Sequence, residues 1–265
     1  MARKKPAPST DATLFPESDA LKPLAERMRP RTLDDIVGQD RLLGPGTALR
    51  RAIESGHVHS MILWGPPGCG KTTLALLLAQ YANARFEAIS AVLSGLPQVR
   101  EALARAEERF AAGDRTVLFI DEVHRFNKVQ QDAFLPHVER GIVVLVGATT
   151  ENPSFELNSA LLSRCRVHVM DAVRPQAIVA ALRRAVDDRE RGLGERNLSV
   201  DEATLTTIAQ AADGDVRRAL TLLEIAADLA QGGRIDGATL EQVHVSGQVE
   251  AAAVKAFGAR VTVTS

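Results

Sequence analysis

The segment Gly65-Pro66-Pro67-Gly68-Cys69-Gly70-Lys71-Thr72 constrains the fold more than any other stretch. It matches G-x-x-x-x-G-K-[ST] and follows directly on the apolar run Met61-Ile62-Leu63-Trp64. Such a loop functions between a strand and a helix. Its glycines let backbone N–H groups turn toward phosphate oxygens, Lys71 reaches the β/γ-phosphates, and Thr72 offers a hydroxyl to Mg²⁺ where the positive end of a helix dipole begins. An apolar helical run, residues 73–81, follows at once. The pattern predicts a nucleoside-triphosphate site formed by Gly65, Pro66, Pro67, Gly68, Cys69, Gly70, Lys71, Thr72 and Thr73, with Thr72 a ligand of Mg²⁺.

Beyond this loop, β-branched apolar runs recur at 61–64, 86–89, 116–120, 142–146 and 167–170, with helical stretches near 71–82, 97–112, 128–139 and 157–163 between them. Strand-helix alternation predicts an α/β fold whose five-stranded parallel sheet is flanked by helices on both faces. From Arg174 onward the pattern is helical only, with segments near 175–190, 201–211, 215–230 and 237–244. The expected organisation is a mobile tail over 1–20, an α/β ATPase domain over 21–172, a small helical lid over 173–245 and a divergent tail over 246–265.

An apolar fraction of 45% is enough to build a core in 265 residues. Thirty-two basic against thirty-three acidic residues leave a net charge of −1, so a polyanion must be met by local patches. Arg27, Arg29 and Arg31, with Arg183 and Arg184, are modest clusters that equally suit solvated helix faces. No apolar run approaches the ~18–20 residues of a membrane span, and the basic start is not followed by a signal-type segment, so the expected location is cytoplasmic without a membrane partner. Cys69 and Cys165 lack C-x-x-C spacing, which points to a reducing compartment. Cys69 stands two residues before Lys71 at a helix start, where dipole and lysine favour a thiolate and predict a lowered pKa; the alternative is an inert small residue filling the loop.

The run 116–120 ends in Asp121-Glu122. An apolar strand closing on two acids is a Walker B pattern: Asp121 holds Mg²⁺, directly or through water, and Glu122 orients and polarises the attacking water. Asp121-Glu122-Val123-His124 also spells D-E-x-H, in which His124 reads as a supporting or surface group and not as a catalyst. The next strand ends in Val146-Gly147-Ala148-Thr149-Thr150, which places Thr150 where a γ-phosphate sensor belongs. Ser163-Arg164-Cys165 and Gly214-Asp215-Val216-Arg217-Arg218-Ala219-Leu220 then supply arginines whose forked donors suit phosphate oxygens.

Taken in order, these motifs resemble an AAA+ ATPase of the clamp-loader clade. Residues 25–30, 59–65, 89–92 and 123–128, and above all Glu151-Asn152-Pro153-Ser154-Phe155-Glu156-Leu157-Asn158-Ser159-Ala160-Leu161-Leu162-Ser163-Arg164, closely resemble the replication-associated recombination protein A family and its eukaryotic Werner-helicase-interacting relatives. The resemblance implies that ATP is the nucleotide, that Arg164 acts in trans as an arginine finger, that Arg217 is the lid's sensor arginine, that Ser90 couples Glu122 to DNA binding, and that Arg29, Pro30, Ile36, Val37, Gly38 and Gln39 help line the adenine pocket. It also implies a homo-oligomeric, nucleoid-associated, DNA-dependent ATPase that remodels single-stranded or branched DNA ends at stalled forks, with single-strand DNA-binding protein as a partner. Past Val243 the match stops and the family's C-terminal oligomerisation region has no counterpart, so a truncated chain with weakened assembly is expected. Two other readings stay open: a nucleotide-dependent adaptor with little turnover, and a clamp-loader or branch-migration subunit.

Overall fold

The computed structural model describes residues 22–230 and 232–243. The tails expected at 1–20 and 246–265, and the end of the last expected lid helix, lie outside the described residues. Three short helices, α1 (Leu24–Arg27), α2 (Asp40–Leu43) and α3 (Ala48–Glu54), precede β1 (Met61–Trp64), and the glycine-rich loop then opens α4 (Lys71–Tyr81). Next come β2 (Arg85–Ser90), α5 (Leu96–Ala111), β3 (Thr116–Asp121), α6 (Lys128–Asp132), α7 (Leu135–Glu139) and β4 (Val143–Thr149). After them stand α8 (Pro153–Glu156), α9 (Ser159–Leu162) and β5 (Arg166–Val169).

The five strands form one sheet in the order β2-β3-β4-β1-β5, and every pairing is parallel. Parallel neighbours need crossover connections, so helices cover both faces and the central strands are apolar on each side. Successive side chains divide between two cores, as the two-residue repeat of a strand requires. Ile62, Leu118, Ile120 and Leu145 join Val99 and Leu103 of α5, with Phe134. Their alternates Met61, Leu63, Val117, Phe119 and Val146 join Leu74 and Leu78 of α4 and Ile53 of α3.

The helix expected over 128–139 is two helices. Phe134 is fully buried with its ring 5.9 Å from that of Phe126, and Pro136, which has no N–H to donate, stands in the opening turn of α7. The stretch expected at 157–163 contains the single short helix α9, and another short helix, α8, precedes that range. Asn152 caps α8 by accepting from Ser154 N, and Asn158 caps α9 by accepting from Leu161 N.

The second unit contains α10 (Pro175–Asp187), β6 (Ser199–Val200), α11 (Glu202–Ala211), α12 (Val216–Leu229), β7 (Arg234–Ile235) and a further helical stretch at 237–243. It is not helical only: β6 and β7 pair in parallel, with Ser199 level with Arg234 and Val200 with Ile235. Two-residue strands carry no readable periodicity. The unit's apolar core also takes in Leu24 from the beginning of the described chain. The Leu24 N–H donates to both carboxylate oxygens of Glu224 (2.9 and 3.0 Å), and Arg27 Nη1 donates to the carbonyls of Arg191 and Gly192 (2.9 and 3.0 Å). The entering segment, expected within the α/β domain, thus packs on the lid.

His59, just before β1, and His168 on β5 bring their rings to 5.8 Å, and the Nε2 atom of each is buried without a hydrogen-bond partner among the described residues. Burial holds both imidazoles below their ordinary value, and for His168 the charges of His59 and Arg166 add to this. The unfolded chain therefore takes up protons first as pH falls, and the stability these groups contribute is lost below about pH 6.5. The urea midpoint is expected to fall between about pH 7.5 and about pH 5.5, and to fall less in a His59→Gln/His168→Gln variant. An equal fall in both proteins would contradict the assignment.

Candidate functional site

Parallel pairing sets the carboxyl ends of β3, β4 and β1 side by side, with Trp64 level with Thr149 and Ile120 level with Gly147. The glycine-rich loop, the Asp121-Glu122 pair and the Thr149-Thr150 pair therefore emerge at one edge of the sheet. In the loop, Gly68 and Gly70 have φ of +65° and +105°, a region that strains residues with a Cβ. Lys71, the first residue of α4, is only 8% exposed, and its Nζ donates to the carbonyls of Gly65 (2.7 Å) and Pro66 (2.8 Å).

A cavity of about 960 Å³ opens above the loop, between sheet domain and lid. Residues 67–73 with Asp121 and Glu122 form one wall, Arg29, Pro30, Ile36 and Val37 a second, and Arg184 and Arg217 the lid side. Gly65 and Pro66 stand behind the lining and meet it through their carbonyls to Lys71. Thr73 Oγ1 lies 3.4 Å from Arg29 Nη1. Arg29 also pairs with Glu26, and that hydrogen bond, aided by the charge of Arg217, holds the Glu26 carboxyl below the usual range against the opposing effect of burial. Thr72 and Asp121 present hard oxygen donors to the same cavity, a set that suits Mg²⁺.

A family model described as ATPase family associated with various cellular activities (AAA) matches residues 61–172, from the start of β1 to the junction with the lid. Replication-associated recombination protein A of Escherichia coli (strain K12) is 55% identical over 213 residues, which are 80% of this chain and 48% of that protein. The chain contains an AAA ATPase domain with the AAA+ fold. It spans about half the length of the curated bacterial relatives it matches, 52% in the case of the Haemophilus influenzae protein of the same name. ATPase WRNIP1 of Dictyostelium discoideum is 45% identical over 204 residues, covering 77% of this chain and 23% of that protein. Among solved structures, the Thermotoga maritima RuvB Holliday junction branch migration motor superposes with a TM-score of 0.66 at 27% identity, over 82% of this chain and 72% of that one.

Within this AAA+ framework the remaining expected residues divide. Thr150 is not part of the cavity lining, but its hydroxyl lies 3.5 Å from Glu122 Oε2. Arg217 is exposed on the lid wall, and among the described residues no hydrogen bond or ion pair holds its guanidinium. Arg164 lies outside the cavity. Its Nε donates to Glu139 Oε1 (2.6 Å) and its Nη1 to the Ala160 carbonyl (2.6 Å) and Ser163 Oγ (3.0 Å). Ser90 is level with Asp121 in the sheet.

Two contacts have no sequence signature. Asp215 caps α12 by accepting from Arg218 N (3.0 Å), and it lies so close to the loop that a Cβ on Gly68 would stand 1.8 Å from its Oδ1. Gln39, only 3% exposed, donates to the carbonyls of Cys69 (3.3 Å) and Asp171 (2.8 Å) and accepts from Asp171 N (3.2 Å). One amide thereby fastens the loop to the domain junction. Gly38 and Gln39, expected beside Ile36 and Val37 in the adenine pocket, are not part of the cavity lining, and neither contact is revealed by the sequence without the fold.

Cys69 contradicts the expectation of a lowered pKa. Its side chain is 2% exposed and belongs to the apolar cluster under α4, so only its backbone serves the loop. Burial pushes the thiol up, and this outweighs the pull of the Lys71 charge and of the neighbouring backbone N–H groups. Burial drives Cys165 up as well, to about 12. Both thiols are expected to react slowly with iodoacetamide at neutral pH in the native protein and rapidly once it is unfolded in urea, as followed by mass spectrometry. Modification of native Cys69 at the rate of an unfolded cysteine would contradict this burial.

Proposed function

We propose that this chain binds ATP with Mg²⁺ in the cavity between its two units and hydrolyses it, and that the ATPase serves replication-fork maintenance and recombination by remodelling single-stranded or branched DNA ends. The observation that carries the ATPase reading is the meeting of Lys71, Thr72, Asp121, Glu122 and Arg217 in one cavity. Lys71 exchanges the carbonyls of Gly65 and Pro66 for β/γ-phosphate oxygens, while the N–H groups of the loop face the same charge. Arg29, Pro30, Ile36 and Val37 receive the base, and Arg217 meets phosphate from the lid. Thr72 and Asp121 would hold Mg²⁺, which supplies neutralisation of phosphate charge when bound. Glu122 accepts the hydrogen bond that orients water, and Thr150 beside it senses the γ-phosphate.

The DNA part of the reading is supported by the names of the relatives, a replication-associated recombination protein and a branch migration motor. It includes a homo-oligomer, contact with single-strand DNA-binding protein and a place on the nucleoid. The position of Arg164, outside its own cavity, supports action on a neighbouring subunit's ATP. The same position favours a second reading, in which the chain alone is an adaptor that binds ATP and turns it over little. The two readings differ in whether ATPase rate per subunit rises with protein concentration and with added DNA.

Lys71→Ala is expected to weaken ATP binding, whereas Glu122→Gln should keep binding and lose at least about 10²-fold in hydrolysis. Fluorescent-nucleotide titration beside single-turnover hydrolysis separates these defects; equal loss of affinity in both would contradict the assigned roles. Arg164→Ala should cost about 10³-fold or more in hydrolysis, since a finger supplied in trans is worth about 10³–10⁵. Mixing Arg164→Ala with Lys71→Ala should restore part of the activity by joining an intact loop to an intact finger. No recovery in mixtures shown to associate would refute trans action.

A further inference from the structure

We propose that His124 positions the Glu122 carboxylate for its work on water, by coupling it to the Thr149-Thr150 end of β4. The inference rests on reading Glu122 as the group that orients water. His124 itself is not among the residues lining the nucleotide cavity. Its side chain is nonetheless only 8% exposed, and its Nδ1 lies 2.9 Å from Thr149 Oγ1 and 3.3 Å from Glu122 Oε2.

The proton on this nitrogen follows from its neighbours. Thr149 Oγ1 accepts from Glu151 N (3.0 Å) and donates to the Glu151 carbonyl (3.2 Å), so its own proton is committed to the loop that begins with Thr150. The carboxylate of Glu122 has only acceptors to offer. Nδ1 therefore carries a proton and donates it to Thr149 Oγ1, with Glu122 Oε2 beside it at ion-pair distance. Thr150 Oγ1 approaches that same Oε2 at 3.5 Å. One carboxylate oxygen is thus held from β4, which leaves Oε1 for water.

The backbone needs this hold. Glu122 has φ +53° and ψ +46°, a left-handed conformation that strains a residue with a Cβ. A side chain presented from such a turn has no helix or strand to fix its rotamer; Glu122 is flanked by the strand end and the short turn at Val123–Arg125. The imidazole, packed and hydrogen-bonded to fully buried Thr149, supplies the fixed partner. A displacement of the strand end by bound γ-phosphate is passed to Glu122 through the same two contacts.

The test compares His124→Ala, His124→Asn and His124→Gln in single-turnover hydrolysis at high protein concentration, with fluorescent-ATP affinity and thermal midpoint measured on the same samples. Asn carries its amide nitrogen where Nδ1 stands, whereas Gln carries it one bond farther out. Expected is a loss of about tenfold or more in the hydrolysis rate for Ala and Gln, with ATP affinity within about twofold and most of the rate kept by Asn. Rates within about twofold of wild type for Ala overturn the proposal, as do equal rates for Asn and Gln, and as does a loss that follows thermal midpoint alone. Should Ala fail to fold, the comparison of Asn with Gln decides it. Wild-type protein that binds ATP without hydrolysing it would overturn the ATPase reading along with this one, whereas wild-type hydrolysis unchanged in the variants overturns only the role of His124.

Discussion

Parallel strand pairing is the constraint on which the molecule depends. It forces each connection to cross back over the sheet, so α4 and α5 come to lie on opposite faces and the strands between them are apolar on both sides. It also sends the carboxyl ends of β1, β3 and β4 to a single edge. The loop after β1, the acids after β3 and the threonines after β4 come from segments far apart in the chain, and they meet because the strands that carry them are neighbours in register. A ligand placed at that edge faces open loop backbone and the start of α4, an arrangement suited to phosphate.

The lid completes the site by contact and by charge. Asp215 lies against Gly68, Arg217 and Arg184 face the cavity, and Gln39 binds the loop to the junction at Asp171. The segment around Leu24 and Arg27 then crosses back to pack on the lid, with Glu224 and the carbonyls at Arg191 and Gly192 as its partners. Arg29 and Pro30, which wall the cavity, follow directly on this segment. The second unit therefore meets the cavity wall from two directions, through Asp215 on the loop and through the residues after α1.

Buried chemistry in this protein is decided by which side of the loop a group faces. Cys69 and Lys71 are two residues apart at the start of one helix, yet the thiol turns into the apolar cluster while the ammonium stays among loop carbonyls. Desolvation then overrides the electrostatic advantage of a helix start for the cysteine. Adjacent threonines at the end of β4 differ in the same way. Thr149 is fully buried and ties to His124, whereas the hydroxyl of Thr150 lies beside Glu122.

The sequence by itself determined the α/β alternation, the five strands, the phosphate loop and the Asp121-Glu122 pair, because these rest on local rules: glycine and lysine at fixed offsets, and apolar runs whose period follows from one element's geometry. That Arg29, Pro30, Ile36, Val37 and Arg217 belong together was also legible, through resemblance and not through spacing, and they line one cavity. Tertiary structure alone decided the rest. The β6–β7 ribbon depends on two pairs of residues meeting, and the placement of α1 on the lid depends on Glu224, about two hundred residues away. The orientation of Cys69 and the link from His124 to Thr149 belong to this class as well. Each is fixed by a partner remote in the chain, and a partner's position in space is not encoded in the pattern of the residues around it.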